Sequence, residues 1–398
     1  MKRKILIPIS FLTLIPAMTF IQSCSTRPSE SWTVLVYMCG SDLESDGSCA
    51  TGDLDEMKRA NLHDNVNLLI ETGGSTRWDT PGISSDHNQY WQIKNGKLDK
   101  LQDLTTNNMA DPDTLQNFIS WGINTYQTDN YALVMWDHGG GCWGAEQDSI
   151  TGGIMTLTQM HSAISNGLSA TNIQKFNFLG FDACLMADLE TLYTLSNFTN
   201  YFVTSEETEP GYGWDYTPWL NYLSLNSLGS NTENICKSIV DSYYEFYAPY
   251  MVQDARVTLS VQKSDHIDAV INSFVEWCST LTDCKSDLKT LMTNDLNVGK
   301  FSYGDGYGFA DLISLTNLIP KTDNYDPNSQ EAWALRKEID DAVVYNKYLQ
   351  GSAFQNNPST GISIYSLNGE SSHSATNYVN LWSGPQYSMF SNWGQLLS

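Results

Sequence analysis

The sequence predicts an α/β protein: a mostly parallel sheet flanked by helices on both faces, completed by a C-terminal α/β subdomain. Three observations predict it. Apolar runs of five or six residues recur at 33–38, 66–70, 131–136, 176–181 and 201–205, and near-continuous apolar runs mark strands buried on both faces. Helical segments separate most of these runs, and a strand–helix alternation winds a parallel sheet. No internal repeat and no low-complexity tract interrupts the pattern.

Each element follows from local signals. Residues 33–38 form the first strand, and 53–62 read as a helix. The strand at 66–70 ends before Gly73-Gly74. Residues 90–93 and 98–101 flank Asn95-Gly96, a hairpin turn signal. Asp111-Pro112 starts a helix running to about Tyr126. The strand at 131–136 runs into Asp137-His138-Gly139-Gly140-Gly141; a helix at 157–168 follows. The strand at 176–181 runs into Asp182-Ala183-Cys184, and 185–196 read as an amphipathic helix. After the strand at 201–205 comes an acidic, Gly-rich loop, 206–214. The second half is less regular: helices at 232–247, 266–281 and 331–344, strands at 255–261 and 361–365, and Gly308 to Leu312 leading into another helix. A division into 32–225 and 226–398 is expected, the second part completing the sheet and packing on the first.

The front of the chain sets the compartment. Lys2, Arg3 and Lys4 precede an apolar run to Ile21, and Ile21-Gln22-Ser23-Cys24 follows. A basic start, an apolar middle and a small residue before the cut are the parts of a secretory signal, residues 1–23. Cys24 after that small residue resembles a bacterial lipobox, in which it becomes the lipidated first residue. Residues 24–31 are polar and read as a tether between anchor and fold. The expected location is an exported, membrane-anchored lipoprotein of the cell envelope.

Composition narrows the partners. The chain carries 45 acidic and 21 basic residues, a net charge of −24, which argues against nucleic acid and draws in cationic ligands. Of the eight cysteines, seven remain after Cys24, and Cys39/Cys49 and Cys278/Cys284 are the local pairs able to bridge. No CxxC, HExxH or EF-hand spacing is present, so the sequence identifies no metal site. The acids between Asp42 and Asp55 leave calcium open.

Two residues of nucleophile and base character follow successive sheet strands: His138 and Cys184. Ligands in open parallel sheets bind beyond the carboxyl ends of strands. If the two strands are neighbours, thiol and imidazole meet at one rim. Cys184 is expected at a helix start, where the dipole favours thiolate, with His138 taking the thiol proton. The N–H groups of Gly139 and Cys184 would form an oxyanion hole. The competing readings are a buried core thiol and a loop histidine. Cys142, just after the glycines, is a rival nucleophile without a following helix, and Cys39 lines the same rim or bridges to Cys49.

Trp136-Asp137-His138-Gly139-Gly140-Gly141 and Phe181-Asp182-Ala183-Cys184-Leu185-Met186-Ala187 resemble the His and Cys blocks of the clostripain-like cysteine peptidases. The resemblance spans about Trp32 to the C-terminus. It implies a caspase-like sheet, a Cys–His dyad, peptide or protein substrates cut after Arg or Lys, and no cofactor for the chemistry, with calcium known in part of the family. Asp182 matches the family position whose carboxylate lines the specificity pocket; capping the next helix is its alternative role. Glu206, Glu207, Glu209 and Asp215 are further pocket candidates. Some relatives cut themselves after a basic residue between the two blocks. Here residues 142–174 hold no Lys or Arg, and Lys175 is the only one between His138 and Cys184. The main alternative is a non-catalytic surface lipoprotein of the same fold that binds peptide or glycan, kept open by the many aromatics.

Overall fold

A computed structural model describes residues 30–106, 108–250, 256–285, 288, 300–301, 308–318, 326–351, 358–366 and 374–398. The secretory signal, Cys24 and nearly all of the tether lie outside the described residues.

Nine strands build the main sheet: β1 (Trp32–Cys39), β2 (Val66–Gly73), β3 (Gln89–Lys94), β4 (Lys97–Asp103), β5 (Asn130–Trp136), β8 (Phe176–Asp182), β9 (Thr199–Thr204), β10 (Arg256–Lys263) and β13 (Val343–Gln350), in the order β13-β10-β9-β8-β5-β1-β2-β3-β4. The β9-β8-β5-β1-β2 centre is parallel, and antiparallel strands extend both edges. A short ribbon, β6 (Ala145–Gln147) with β7 (Ile154–Met155), follows the glycine loop. A separate three-stranded sheet joins β11 (Lys300–Phe301), β12 (Phe309–Asp311) and β14 (Ser363–Tyr365). The late strand expected at 361–365 therefore lies in this second sheet.

Alternation along β1 explains the layers. Leu35, Tyr37 and Cys39 pack into a core with α3 (Pro112–Thr125), α4 (Leu157–Ser169), α5 (Leu189–Leu195) and α8 (Ile267–Ser279). Val34, Val36 and Met38 face the opposite core, built with α2 (Cys49–Arg59), α6 (Tyr216–Leu225) and α7 (Thr232–Tyr247). Trp32, Trp91, Trp136, Trp214, Trp219, Trp277, Trp382 and Trp393 are buried, so most of the 12 Trp are core residues.

Local chemistry sets the boundaries. Asn95 and Gly96 both take positive φ, 52° and 69°, as a two-residue hairpin turn requires. Asp111 caps α3 through the Asp113 N–H, with Pro112 in the first turn. Thr156 and Gln159 form a capping box on α4. The segment after Cys184 differs from expectation. The Leu185 N–H donates to Glu207 O at 3.1 Å and the Ala187 N–H to Ser205 O at 2.9 Å. This stretch is thus tied to the loop beyond β9, and α5 starts only at Leu189. Its cap is Asp188, which accepts from the Thr191 N–H.

Neither local cysteine bridge forms: Cys39, Cys49 and Cys278 are thiols. Cys39 belongs to one core and Cys49 packs against the other, with the sheet between them.

Candidate active site

Register brings the site together. Trp136 of β5 is paired with Asp182 of β8 and with Met38 of β1. His138 and Cys184 therefore each lie two residues beyond the same paired position. The chain runs from β1 to β2 on one side, then crosses to β5 on the other. The crevice beyond β1 and β5 is the point where the winding reverses, the place where open α/β sheets bind ligands. A cleft of ≈ 220 Å³ opens there, lined by His138, Asp182, Cys184, Glu209, Leu43 and Gly213 among others.

Cys184 is only 9 % exposed. Burial pushes its thiol up to about 11, while the N–H groups of Glu209, Gly139 and Cys184 itself draw it back down. The Glu209 N–H lies 3.2 Å from the sulfur. The resting group is a thiol, and no helix starts at it. Leu185, next in the chain, has φ 68°, so the sulfur sits on a tight, strained turn. The expected helix-dipole stabilisation is absent.

His138 lines the same cleft, and its Nε2 lies 2.8 Å from Asp42 Oδ1. Burial alone would raise the Asp42 carboxyl, but the hydrogen bond and charge of His138 outweigh it and hold the group below its usual range. With Nε2 so engaged, Nδ1 is the other ring nitrogen able to take or give a proton. In the sequence Asp42 stands out only as one of a run of acids. The available signal was its place three residues past β1, the strand beside β5. Asp42→Asn is expected to lower kcat about 2- to 5-fold, the scale of one exposed ion pair, with the melting temperature unchanged; kinetics beside a thermal melt check it.

The glycine loop and the cysteine loop touch. A Cβ on Gly139 would collide with the Cys184 carbonyl, so this close approach requires glycine.

Beneath the sulfur, Asp182 accepts from the Trp214 N–H (3.1 and 3.3 Å) and from the Tyr216 hydroxyl (2.8 Å). It caps no helix. Glu209 lies against it, and neither Glu209 oxygen has a hydrogen-bond partner among the described residues. Burial raises both carboxyls, Glu209 further because Asp182 is beside it. A buried pair of this kind favours one shared negative charge over two.

The other candidates are engaged elsewhere. Glu206 accepts from the Ser359 hydroxyl and the Gly361 N–H. Glu207 pairs with Arg256, buried. Asp215 precedes α6 and does not line the cleft. Glu206 and Glu207 are pinned because their part of the loop is folded inward against β10 and the segment leading into β14, not solvated. Cys142 is buried beside Glu190 and Asp188, away from the cleft, and burial first, then those acids, pushes its thiol well up. The acids of 42–55 diverge: Glu44 holds Thr51 and Asp79, and Asp53 accepts from the Trp136 indole. Lys175 donates to Ser196 O at 3.4 Å.

Comparisons with known proteins decide the family. The clostripain-family profile (Peptidase_C11) matches residues 36–397. The chain belongs to the clostripain family. Clostripain of Hathewaya histolytica is 22 % identical over 419 residues, covering 89 % of this chain and 78 % of that protein. A secreted C11 cysteine protease of Bacteroides thetaiotaomicron, solved with an irreversible peptide inhibitor, matches with TM-score 0.66 and 20 % identity over 91 % of this chain and 99 % of that one. An inactive zymogen C11 protease of Parabacteroides distasonis matches with TM-score 0.63 and 22 % identity over 86 % and 94 %. The fold of this clostripain-family cysteine peptidase is thus that of the solved C11 proteases.

Many buried acids give this peptidase a pH-dependent stability. Burial holds Glu56 at about 7 and pushes Glu71, Glu190 and Glu206 well above the usual carboxyl range. Folded values above the unfolded ones mean that the native state binds more protons between the two. That stability is complete below the unfolded value and is lost as pH rises through the folded ones. The exposed acids that shift downward, such as Asp103 and Asp341, act oppositely but weakly. The melting temperature of the Cys184→Ala protein is expected to fall by more than about 3 °C between pH 5 and pH 8, read by scanning calorimetry.

Proposed function

We propose that the chain is an exported endopeptidase that cleaves after Arg or Lys with a Cys184–His138 dyad. The observation that carries this reading is the pair of buried acids, Asp182 and Glu209, beneath the sulfur in a cleft that His138 also lines. A buried carboxyl pair that carries a negative charge favours a cation over an apolar side chain.

His138 takes the Cys184 proton, and the sulfur attacks the scissile carbonyl. The oxyanion is held by the Gly139 and Cys184 N–H groups. The C–N bond breaks as His138 returns the proton to the leaving amine. Water, deprotonated by His138, then hydrolyses the thioester and restores the thiol. The thiol–imidazole chemistry itself draws on no cofactor. Asp42 orients the imidazole from its far side.

Export and anchoring rest on the sequence: the basic start, the apolar run and Ser23-Cys24. Among the described residues no helix is long and apolar enough to cross a membrane. The proposed attachment is a lipid on Cys24, resting on the lipobox-like Ile21-Gln22-Ser23-Cys24. Lys175 as the lone basic residue between the His and Cys blocks argues for activation without a cut in residues 142–174.

The test is a set of fluorogenic peptides differing only in the residue before the reporter, together with a thiol-reactive peptide ending in Arg. Turnover of Arg or Lys peptides and a label mapped to Cys184 support the reading. Equal turnover of all peptides, or a label on Cys142, sinks it.

A further inference from the structure

Behind His138 lies a second polar cluster that peptide cleavage does not use. Cys39 ends β1, Asp137 follows β5, and Glu146 is the middle residue of β6. The Cys39 sulfur and one carboxylate oxygen each from Asp137 and Glu146 lie within 4.8 Å of one another, and all three residues are buried. Cys39 comes from a segment far from the other two in sequence, while Asp137 and Glu146 flank the glycine loop that joins β5 to β6.

Glu146 carries the case. It is wholly buried, yet neither carboxyl oxygen has a hydrogen-bond partner among the described residues. Its φ is 62°, a left-handed conformation unusual for glutamate. Buried polar groups are nearly always satisfied, so a side chain held in this way calls for a ligand. Asp137 is already oriented for one. Its Oδ1 accepts from the Ser41 hydroxyl and its Oδ2 from the Gln147 N–H, both at 2.5 Å. Each oxygen retains a lone pair, and such outer hydrogen bonds are what fix carboxylate ligands on metals. The Gln147 carbonyl, 3.5 Å from the Cys39 sulfur, adds a fourth donor.

We propose that Cys39, Asp137 and Glu146 form a buried divalent-cation site of zinc type, with the Gln147 carbonyl as fourth donor. The donor set selects the ion. One thiolate with two carboxylates suits a borderline-soft cation that takes four ligands. Calcium asks for six to eight oxygens and gains nothing from sulfur. Donor atoms around tetrahedral zinc stand about 3.3–3.8 Å apart given bonds of about 2.0–2.3 Å, so the cluster closes by about 1 Å on binding. The cation enters as the thiol proton leaves. It would clip the ends of β1 and β5 to β6, whose Glu146 N–H donates to His138 O at 3.2 Å. The site thereby sets the position of the histidine loop without touching substrate.

The test uses full-length Cys184→Ala protein, so that the cleft thiol cannot contribute. Purified from zinc-supplemented medium, it is expected to retain about one zinc per chain by elemental analysis. Refolded with cobalt instead, it is expected to show a sulfur-to-cobalt charge-transfer band. Both signals should be lost in Cys39→Ser and at least tenfold weakened in Glu146→Gln. The Gln variant keeps the shape and can replace a neutral Glu hydrogen bond, so it distinguishes ligation from a proton shared between Glu146 and Asp137, and it remains informative if the Cys39 change prevents folding. A parent that binds neither metal after both routes overturns the proposal, as does a Glu146→Gln protein that binds as much as its parent.

Discussion

Cys184→Ala is expected to lower kcat on an Arg peptide by a factor on the order of 10⁴–10⁶, the scale set by removing a nucleophile from a hydrolase. The resting thiol is protonated, because burial outweighs the N–H groups around it. In the proposed dyad, nucleophile and base act as one unit. His138→Ala is expected to cost nearly as much, and the double variant no more than the worse single change. Cys184 is small, sits on a turn and forms no ion pair, so its melting temperature should stay close to the parent's. Single-turnover kinetics with a thermal melt check this. A double variant slower than either single by the product of their effects would contradict the dyad.

Asp182→Asn is expected to lower kcat/KM for Arg and Lys peptides by about 10²–10³-fold, while a peptide with a neutral residue at that position changes little. Removing one partner of a buried ion pair costs about 3–5 kcal/mol, and the substrate cation is the partner at stake. Asparagine preserves the shape but offers one acceptor oxygen where the carboxylate accepts from both the Trp214 N–H and the Tyr216 hydroxyl. The ratio of basic to neutral turnover is the deciding measurement. A purely structural role for Asp182 would lower the melting temperature and leave that ratio intact. Glu209→Gln should have the smaller effect, because Asp182 ionises first and holds the shared charge.

The parallel centre of the sheet was readable because β1, β5 and β8 are buried and apolar nearly throughout, while β2 and β9 carry the shorter apolar runs Leu68-Leu69-Ile70 and Tyr201-Phe202-Val203. The hairpin at Asn95-Gly96 and the cap at Asp111 were readable because their signals lie within a few residues. The helix start after Cys184 was misplaced. Residues 185–188 have a helical pattern, but the N–H groups of Leu185 and Ala187 are taken by carbonyls beyond β9. A bond to a distant strand overrides a local propensity. Asp188, an N-cap type ahead of Leu189, was the sign that the helix starts later.

The acids divide in the same way. All five pocket candidates sit close to the nucleophile in sequence or on the loop after β9. Only Asp182 and Glu209 face the cleft, because Glu206 and Glu207 turn inward to the second sheet and to Arg256. Asp42 reaches His138 only because β1 and β5 are adjacent.

Residue order alone settled the strand–helix alternation and the pairing of a His block with a Cys block, since apolar periodicity and short motifs are local properties of a chain. Folding decided which carboxyls reach the sulfur, which residue holds the imidazole, and that Cys39, Asp137 and Glu146 meet at all. The Asp42–His138 and Cys39–Asp137 approaches join segments about 100 residues apart, Glu209 comes to Cys184 from beyond the next strand, and the energies of all of them depend on burial and on neighbours that exist only once the sheet has formed.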